Sequence, residues 1–166
     1  VTANILADVL IPLTPVICHQ MKPGALYITS GILDVKEELQ HVRSYLEIQQ
    51  MRYQDILQYE ICVPEELNHC QIPKITLQPL VENSILHGFS DMQKEGVLTL
   101  AISKSENSLC IEVRDNGIGM DEEQLKKYIH AICVDGHVGI SNVHRRLSLI
   151  YGENYKIHVV SAPGEG

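Results

Sequence analysis

No C-x-x-C pair occurs among the five cysteines, Cys18, Cys62, Cys70, Cys110 and Cys133, and their number is odd. A disulfide framework and a zinc ribbon are therefore both excluded as organising devices, and a reducing cytosol is the simpler setting. No run of Lys and Arg interrupts a formal net charge of -8, so the basic stripe of a nucleic-acid binder is missing. No stretch suits a bilayer. The most apolar one, Ile5 to Ile17, contains Asp8, Pro12 and Pro15 and falls short of the roughly 20 residues needed to span. It also lacks the basic start and cleavage site of a signal peptide. Internal repeats and low-complexity tracts are absent too. The expectation is a soluble, cytoplasmic piece with no nucleic-acid or membrane contact of its own, while its parent is expected to be a membrane-anchored bacterial protein.

What is present suits a single globular domain with an appendage. The chain has 166 residues, 45% hydrophobic and 20% charged, against roughly 100–200 residues for a typical domain. Residues 1–32 are the least legible, with a short amphipathic helix at Ile5, Leu6, Val9 and Leu10 stopped by Pro12. From Asp34 the pattern sharpens. Asp34 and Glu37 have the spacing of a capping box, and Val35, Leu39, Val42 and Leu46 then form an apolar seam to about Met51. Core packing and a short coiled coil both satisfy that seam. Leu57 to Val63 predicts a strand, Ile75 to Phe89 a helix, and Gly96–Ser103 with Leu109–Arg114 a hairpin about Ser105–Ser108. Helices are predicted at about Asp121–His130 and Ile140–Tyr151, and a last strand at Lys156–Ser161. Intermixed helices and strands with a hairpin imply an α/β sandwich with a mixed sheet, preceded by a linker helix. The expected division is 1–51 for the N-terminal segment and helical linker and 52–166 for the main domain.

Chemistry concentrates in three places. On the helix ending Val81-Glu82-Asn83-Ser84, an apolar stripe toward a sheet leaves Glu82 and Asn83 on the opposite half, about 100° apart. A carboxylate and a carboxamide there can hold a hard cation such as Mg²⁺ and orient a water; on this helix alone a solvated polar face is the simpler reading. On the strand Leu109, Ile111 and Val113, Asp115 continues the inward parity, so its carboxylate needs a donor partner. An adenine amino group answers that need, and Gly117 and Gly119 allow close backbone approach. Gly136 and Gly139 precede the last helix, where free N–H groups suit phosphate. Other candidates are weaker. His130, Cys133 and His137 lack an evident fourth zinc ligand, and Cys62, His69 and Cys70 suggest incidental placement. Arg145 and Arg146 meet phosphates or, on balance, solvate their helix face.

Taken together, Leu77–Gly88, Asp115–Met120 and Gly139–Gly152, closing with Ser161-Ala162-Pro163-Gly164-Glu165-Gly166, resemble the N, G1 and G2 boxes of the GHKL ATP-binding superfamily. LQPLVENSILHG, LEIQQMRY and GISNVHRRLSLIYG are similar to the LytS/YehU/YesM-type sensor histidine kinases. The resemblance covers about Asp34 to Gly166 and implies the Bergerat two-layer α/β sandwich. It further implies Mg²⁺ ligation by Asn83, a base or water-orienting role for Glu82, and adenine contact by Asp115. Gly117, Gly119 and Gly139 would shape the pocket, with His87 and Asn142 also in the nucleotide-binding set. The implied partners are ATP, a phospho-acceptor helix of the same parent, a response regulator, and a second parent copy in a homodimer.

Two departures stand out. The family's N-P-H-F-L-F-N acceptor string is absent, and His41 lies in Leu39-Gln40-His41-Val42-Arg43, so this chain is expected to bind ATP without phosphorylating itself. Where the lid commonly reads G-x-G, the chain has His137-Val138-Gly139, with a glycine displaced to Gly136. Rival readings are a hydrolysing ATPase of the gyrase, MutL or Hsp90 kind, with Glu82 activating water, and a degenerate nucleotide-sensing or protein-binding module.

Overall fold

The computed structural model describes residues 31–53, 56–89, 95–106, 108–135 and 139–166. Strand β1 (Ile32–Asp34) leads directly into helix α1 (Val35–Arg52). The capping box forms as the spacing predicts, and the Glu37 carboxylate accepts the Asp34 backbone N–H at 3.2 Å. Val35, Leu39, Val42 and Leu46 are all buried. They share one cluster with Leu77, Val81 and Ile85 and with Leu98, Leu100 and Ile102, so the seam belongs to the core.

Strand β2 (Leu57–Cys62) is followed by β3 (Gln71–Pro73), which pairs antiparallel with β1. Strands of three residues are too short to carry a readable period, and neither β1 nor β3 is predicted by alternation. Helix α2 (Leu77–Asn83) continues as a wider π-helical turn over Ser84–Gly88. Strands β4 (Gly96–Ser105) and β5 (Ser108–Asp115) form the expected hairpin, closed by the Ser105–Ser108 pair. Helix α3 (Glu122–His130) begins at Asp121, whose side chain accepts the Gln124 N–H at 2.8 Å, and runs on into a π-helical turn, Ala131–Asp135. Helix α4 (Gly139–Tyr151) follows.

The main sheet has the order β2-β4-β5, with β2 parallel and β5 antiparallel to β4. Along β4, Gly96, Leu98, Leu100 and Ile102 are buried while Val97 and Ser103 are exposed; β5 alternates in the same way. One sheet face thus packs under the helices and the other stays open, which is the predicted two-layer sandwich with a mixed sheet.

Two predicted elements change. The helix expected from Ile75 starts at Leu77, because Ile75 has a left-handed φ of 56° and cannot continue a right-handed turn. The strand expected at Lys156–Ser161 makes no ladder among the described residues. Its alternation is real: Tyr155, Ile157, Val159 and Ser161 are half-buried, and Lys156, His158 and Val160 are exposed. Alternation records one-sided packing, whereas a strand also needs a partner backbone. The helix predicted near Ile5–Leu10 lies outside the described residues.

Leu100 sits in the middle strand with no exposed surface. Leu100→Ala removes buried methyl groups and leaves a cavity, so urea unfolding of this variant should show a loss of about 2–5 kcal/mol.

Candidate functional site

The site is built at the end of β5. Leu109, Ile111, Val113 and Asp115 occupy the half-buried parity of the strand, so its last residue delivers a carboxylate to the covered side. There Asp115 Oδ1 accepts the Gly117 N–H at 2.9 Å. The turn is held from both flanks. Ile118 N–H donates to Gly88 O at 3.0 Å, and Asn116 accepts Val97 N–H at 2.7 Å while donating to Glu95 O at 3.0 Å. A Cβ on Gly117 would lie 2.5 Å from Gly88 O and 2.6 Å from Asp115 Oδ1, so no side chain fits. Gly119 adopts φ 64°, and a Cβ there would fall 1.8 Å from Ala162 O. The closing Ser161–Gly166 segment folds over this turn: Gly164 N–H donates to Ile118 O at 2.7 Å and Met120 N–H to Ser161 Oγ at 2.8 Å.

Helix α2 supplies the second wall. Its stripe of Leu77, Val81, Ser84 and Ile85 is buried against the sheet, leaving Glu82 and Asn83 on the other half, both half-buried. Gln78 donates to Glu82 Oε1 at 2.7 Å, one turn earlier. Tyr128 of α3 donates its hydroxyl to Asn83 Oδ1 at 2.7 Å. Burial pushes the Tyr128 hydroxyl up to about 12; the Asn83 hydrogen bond works against this and the Asp115 charge adds to it. One phenol is therefore bonded to the carboxamide of α2 and within reach of the charge on β5. Its signal in the sequence is faint: Leu125 and Tyr128 are the half-buried positions of an otherwise exposed helix.

The remaining predicted residues are placed less closely. His87 is exposed on the π-helical turn, and Asn142 is exposed on the first turn of α4. Gly139 opens α4 beside α2, where a Cβ would meet Pro79 Cβ at 3.4 Å. Gly136 and His137, the rest of the predicted phosphate loop, lie outside the described residues.

Two further residues were not expected. Arg146, assigned to a solvated face by its helical position, is half-buried and donates to Ile75 O at 2.6 Å. The helix-face argument fails because α4 packs against the start of α2, so a long side chain leaving the apolar face still finds a backbone carbonyl. Burial lowers its pKa, with the charge of Glu38 acting in the opposite direction. Glu38, on α1, is 2% exposed and accepts the backbone N–H groups of Ile75, Thr76 and Leu77. In the sequence it is one more glutamate on a charged helix.

Comparison with known proteins agrees with this architecture. Residues 72–166 match the family described as Histidine kinase-, DNA gyrase B-, and HSP90-like ATPase, and the chain belongs to that ATP-binding family. A second match, Ribosomal protein L11 methyltransferase, is confined to residues 1–60, about a third of the chain. Among curated relatives, Sensor protein LytS of Oceanobacillus iheyensis is 36% identical over 144 residues, 84% of this chain and 25% of that protein. Sensor histidine kinase YpdA of Escherichia coli is 37% identical over 125 residues, 75% of this chain and 22% of that protein. The chain thus spans about a quarter of the length of these relatives. In fold it is similar to the histidine kinase domain of a blue-light activated histidine kinase from Erythrobacter litoralis, with TM-score 0.57 and 19% identity over 96% of this chain and 76% of that one. It is also similar to histidine kinase ThkA in complex with response regulator protein TrrA, with TM-score 0.51 and 17% identity over 84% of this chain and 40% of that one.

The Tyr128 hydroxyl gives this site a pH signature. Its proton is held more tightly in the folded chain than at its ordinary value of 10.0. The stabilisation is complete below about pH 10 and is lost as pH rises through about 12. Urea midpoints measured across that window should fall less steeply in Tyr128→Phe than in the unaltered chain.

Proposed function

We propose that this chain is the catalytic, ATP-holding part of a two-component sensor histidine kinase, passing the γ-phosphate to a histidine outside residues 1–166. In this reading residues 52–166 are the catalytic domain, and residues 1–51 join it to the acceptor helix of the same parent. The observation that carries the reading is Asp115, an inward carboxylate walled by two backbone segments that tolerate no side chain at Gly88 and Gly117. Such a carboxylate suits an exocyclic amino group of adenine entering edge-on, and the glycines let the base approach the backbone.

The phosphates would then extend toward α2 and the start of α4. Asn83 and Glu82 present oxygen donors on adjacent positions of one half-buried helix, a donor set that fits Mg²⁺ with its few protein ligands. Mg²⁺ held there would neutralise phosphate oxygens. Glu82 orients the incoming acceptor and takes up its proton, and its carboxylate is itself oriented by Gln78 at 2.7 Å. Asn83 would hold the ion through Oδ1, the oxygen that now accepts the Tyr128 hydroxyl. Gly139 and Asn142 line the phosphate side, with His87 at its edge. Phosphoryl transfer asks mainly for such positioning and charge neutralisation, and the chain need form no covalent bond itself. A response regulator then receives the phosphoryl group, a partner class supported by the ThkA complex; the parent works as a membrane-anchored homodimer.

Calorimetric titration with Mg-ATP tests the site. The unaltered chain should bind, and Asp115→Ala should weaken binding by at least about tenfold, the loss expected when a buried charge-assisted hydrogen bond is removed. Absence of binding at millimolar nucleotide, or equal affinity in Asp115→Ala, would overturn the reading. Steady ATP turnover by the isolated chain would instead make it a hydrolase.

A further inference from the structure

Three helices meet at residues 75–77, where a buried carboxylate of α1 and an arginine of α4 both hold the start of α2. Glu38 Oε1 accepts Ile75 N–H at 2.7 Å, and Oε2 accepts Thr76 N–H at 2.9 Å and Leu77 N–H at 3.2 Å. These are donors at the start of α2, which have no intrahelical partner. Arg146 of α4 closes the same turn from the other side, donating to Ile75 O at 2.6 Å and reaching Thr76 Oγ1 at 3.4 Å. Thr76 is 1% exposed, and its hydroxyl donates to Pro73 O at 2.6 Å. Between them, Glu38 and Arg146 hold both backbone groups of Ile75, a β-branched residue kept at φ 56°. Such a conformation persists only where its surroundings impose it.

We infer that Glu38 is a positioning residue for the nucleotide site, fixing against α1 the first turn of α2, the helix that carries Glu82 and Asn83. This rests on the nucleotide reading above. Asn83 lies six residues beyond Leu77, about 9 Å along a rigid helix, so an error in seating the first turn is carried to the far end. Arg146 ties the helix that begins at Gly139 to the same turn, so α2 and α4 are both anchored at residues 75–77. Because the α1 seam lies in one core cluster with the sheet, the carboxylate couples the seating of Ile75, Thr76 and Leu77 to that core.

The test compares Glu38→Gln with the unaltered chain and with Ile102→Val, a core change in β4 away from the junction. Glu38→Gln keeps the shape but turns one acceptor into a donor facing backbone N–H groups. Amide exchange at residues 75–77 should accelerate, and Mg-ATP affinity should fall roughly tenfold, while Ile102→Val should stay within about twofold of the unaltered chain because distant sites act independently. Equal affinity in Glu38→Gln and the unaltered chain overturns this inference alone; so does an equal affinity loss in Ile102→Val. A chain that binds no Mg-ATP in any form overturns the nucleotide reading and this inference with it. If Glu38→Gln does not fold, Thr76→Ala carries the test. It removes the hydroxyl at the junction and should lose roughly threefold in affinity, a weaker neutral hydrogen bond being broken; unchanged affinity overturns the inference.

Discussion

A carboxylate withdrawn from water costs several kcal/mol unless donors replace its hydration. Glu38 meets that demand with three backbone N–H groups at a helix start, where the dipole also favours negative charge. The same contact serves the helix, whose first turn is buried under α1 and α4 and would otherwise keep unsatisfied donors. Each side satisfies the other, so neither can be lost without exposing a polar group in an apolar setting. The turn at Ile75, strained by an amount on the order of 1–3 kcal/mol, is stable because its N–H and C=O are both engaged. From this junction α2 is seated, with its apolar stripe in the core and Glu82 and Asn83 on its other half.

The opposite side of the site depends on the absence of side chains. Gly88 and Gly117 back onto Asp115 so closely that a methyl group on either would collide with the carboxylate. Asn116 pins the turn to the start of β4 with one accepted and one donated bond. Ala162 and Gly164 then cover Gly119 and Ile118. A backbone-lined edge results, with the Asp115 carboxylate at its centre. Tyr128 crosses from α3 to Asn83, so its hydroxyl ties α3 to the polar half of α2.

How much of this could be read in advance varied with the length scale of the signal. Alternation over eight residues turned Asp115 inward, and the burial of β5 agrees. The seam Val35, Leu39, Val42 and Leu46 predicted the buried face of α1, although periodicity alone could not separate a core from a coiled coil. The three-residue strands β1 and β3 are below the length at which a period exists. Lys156–Ser161 shows the converse, an alternation without a ladder, because side-chain burial and backbone pairing are separate demands.

The sequence by itself determined the long helices, the β4–β5 hairpin, the mixed sheet, the inward Asp115, and the glycines where no Cβ fits. These are local properties, set by the spacing of apolar residues and by backbone sterics. Only the tertiary structure decided that Glu38 caps a helix some 37–39 residues away, that Arg146 reaches back to Ile75, and that Tyr128 meets Asn83. A glutamate, an arginine and a tyrosine on amphipathic helices look alike whether solvated or buried. Their partners are chosen when helices pack, and packing joins residues that no local period connects.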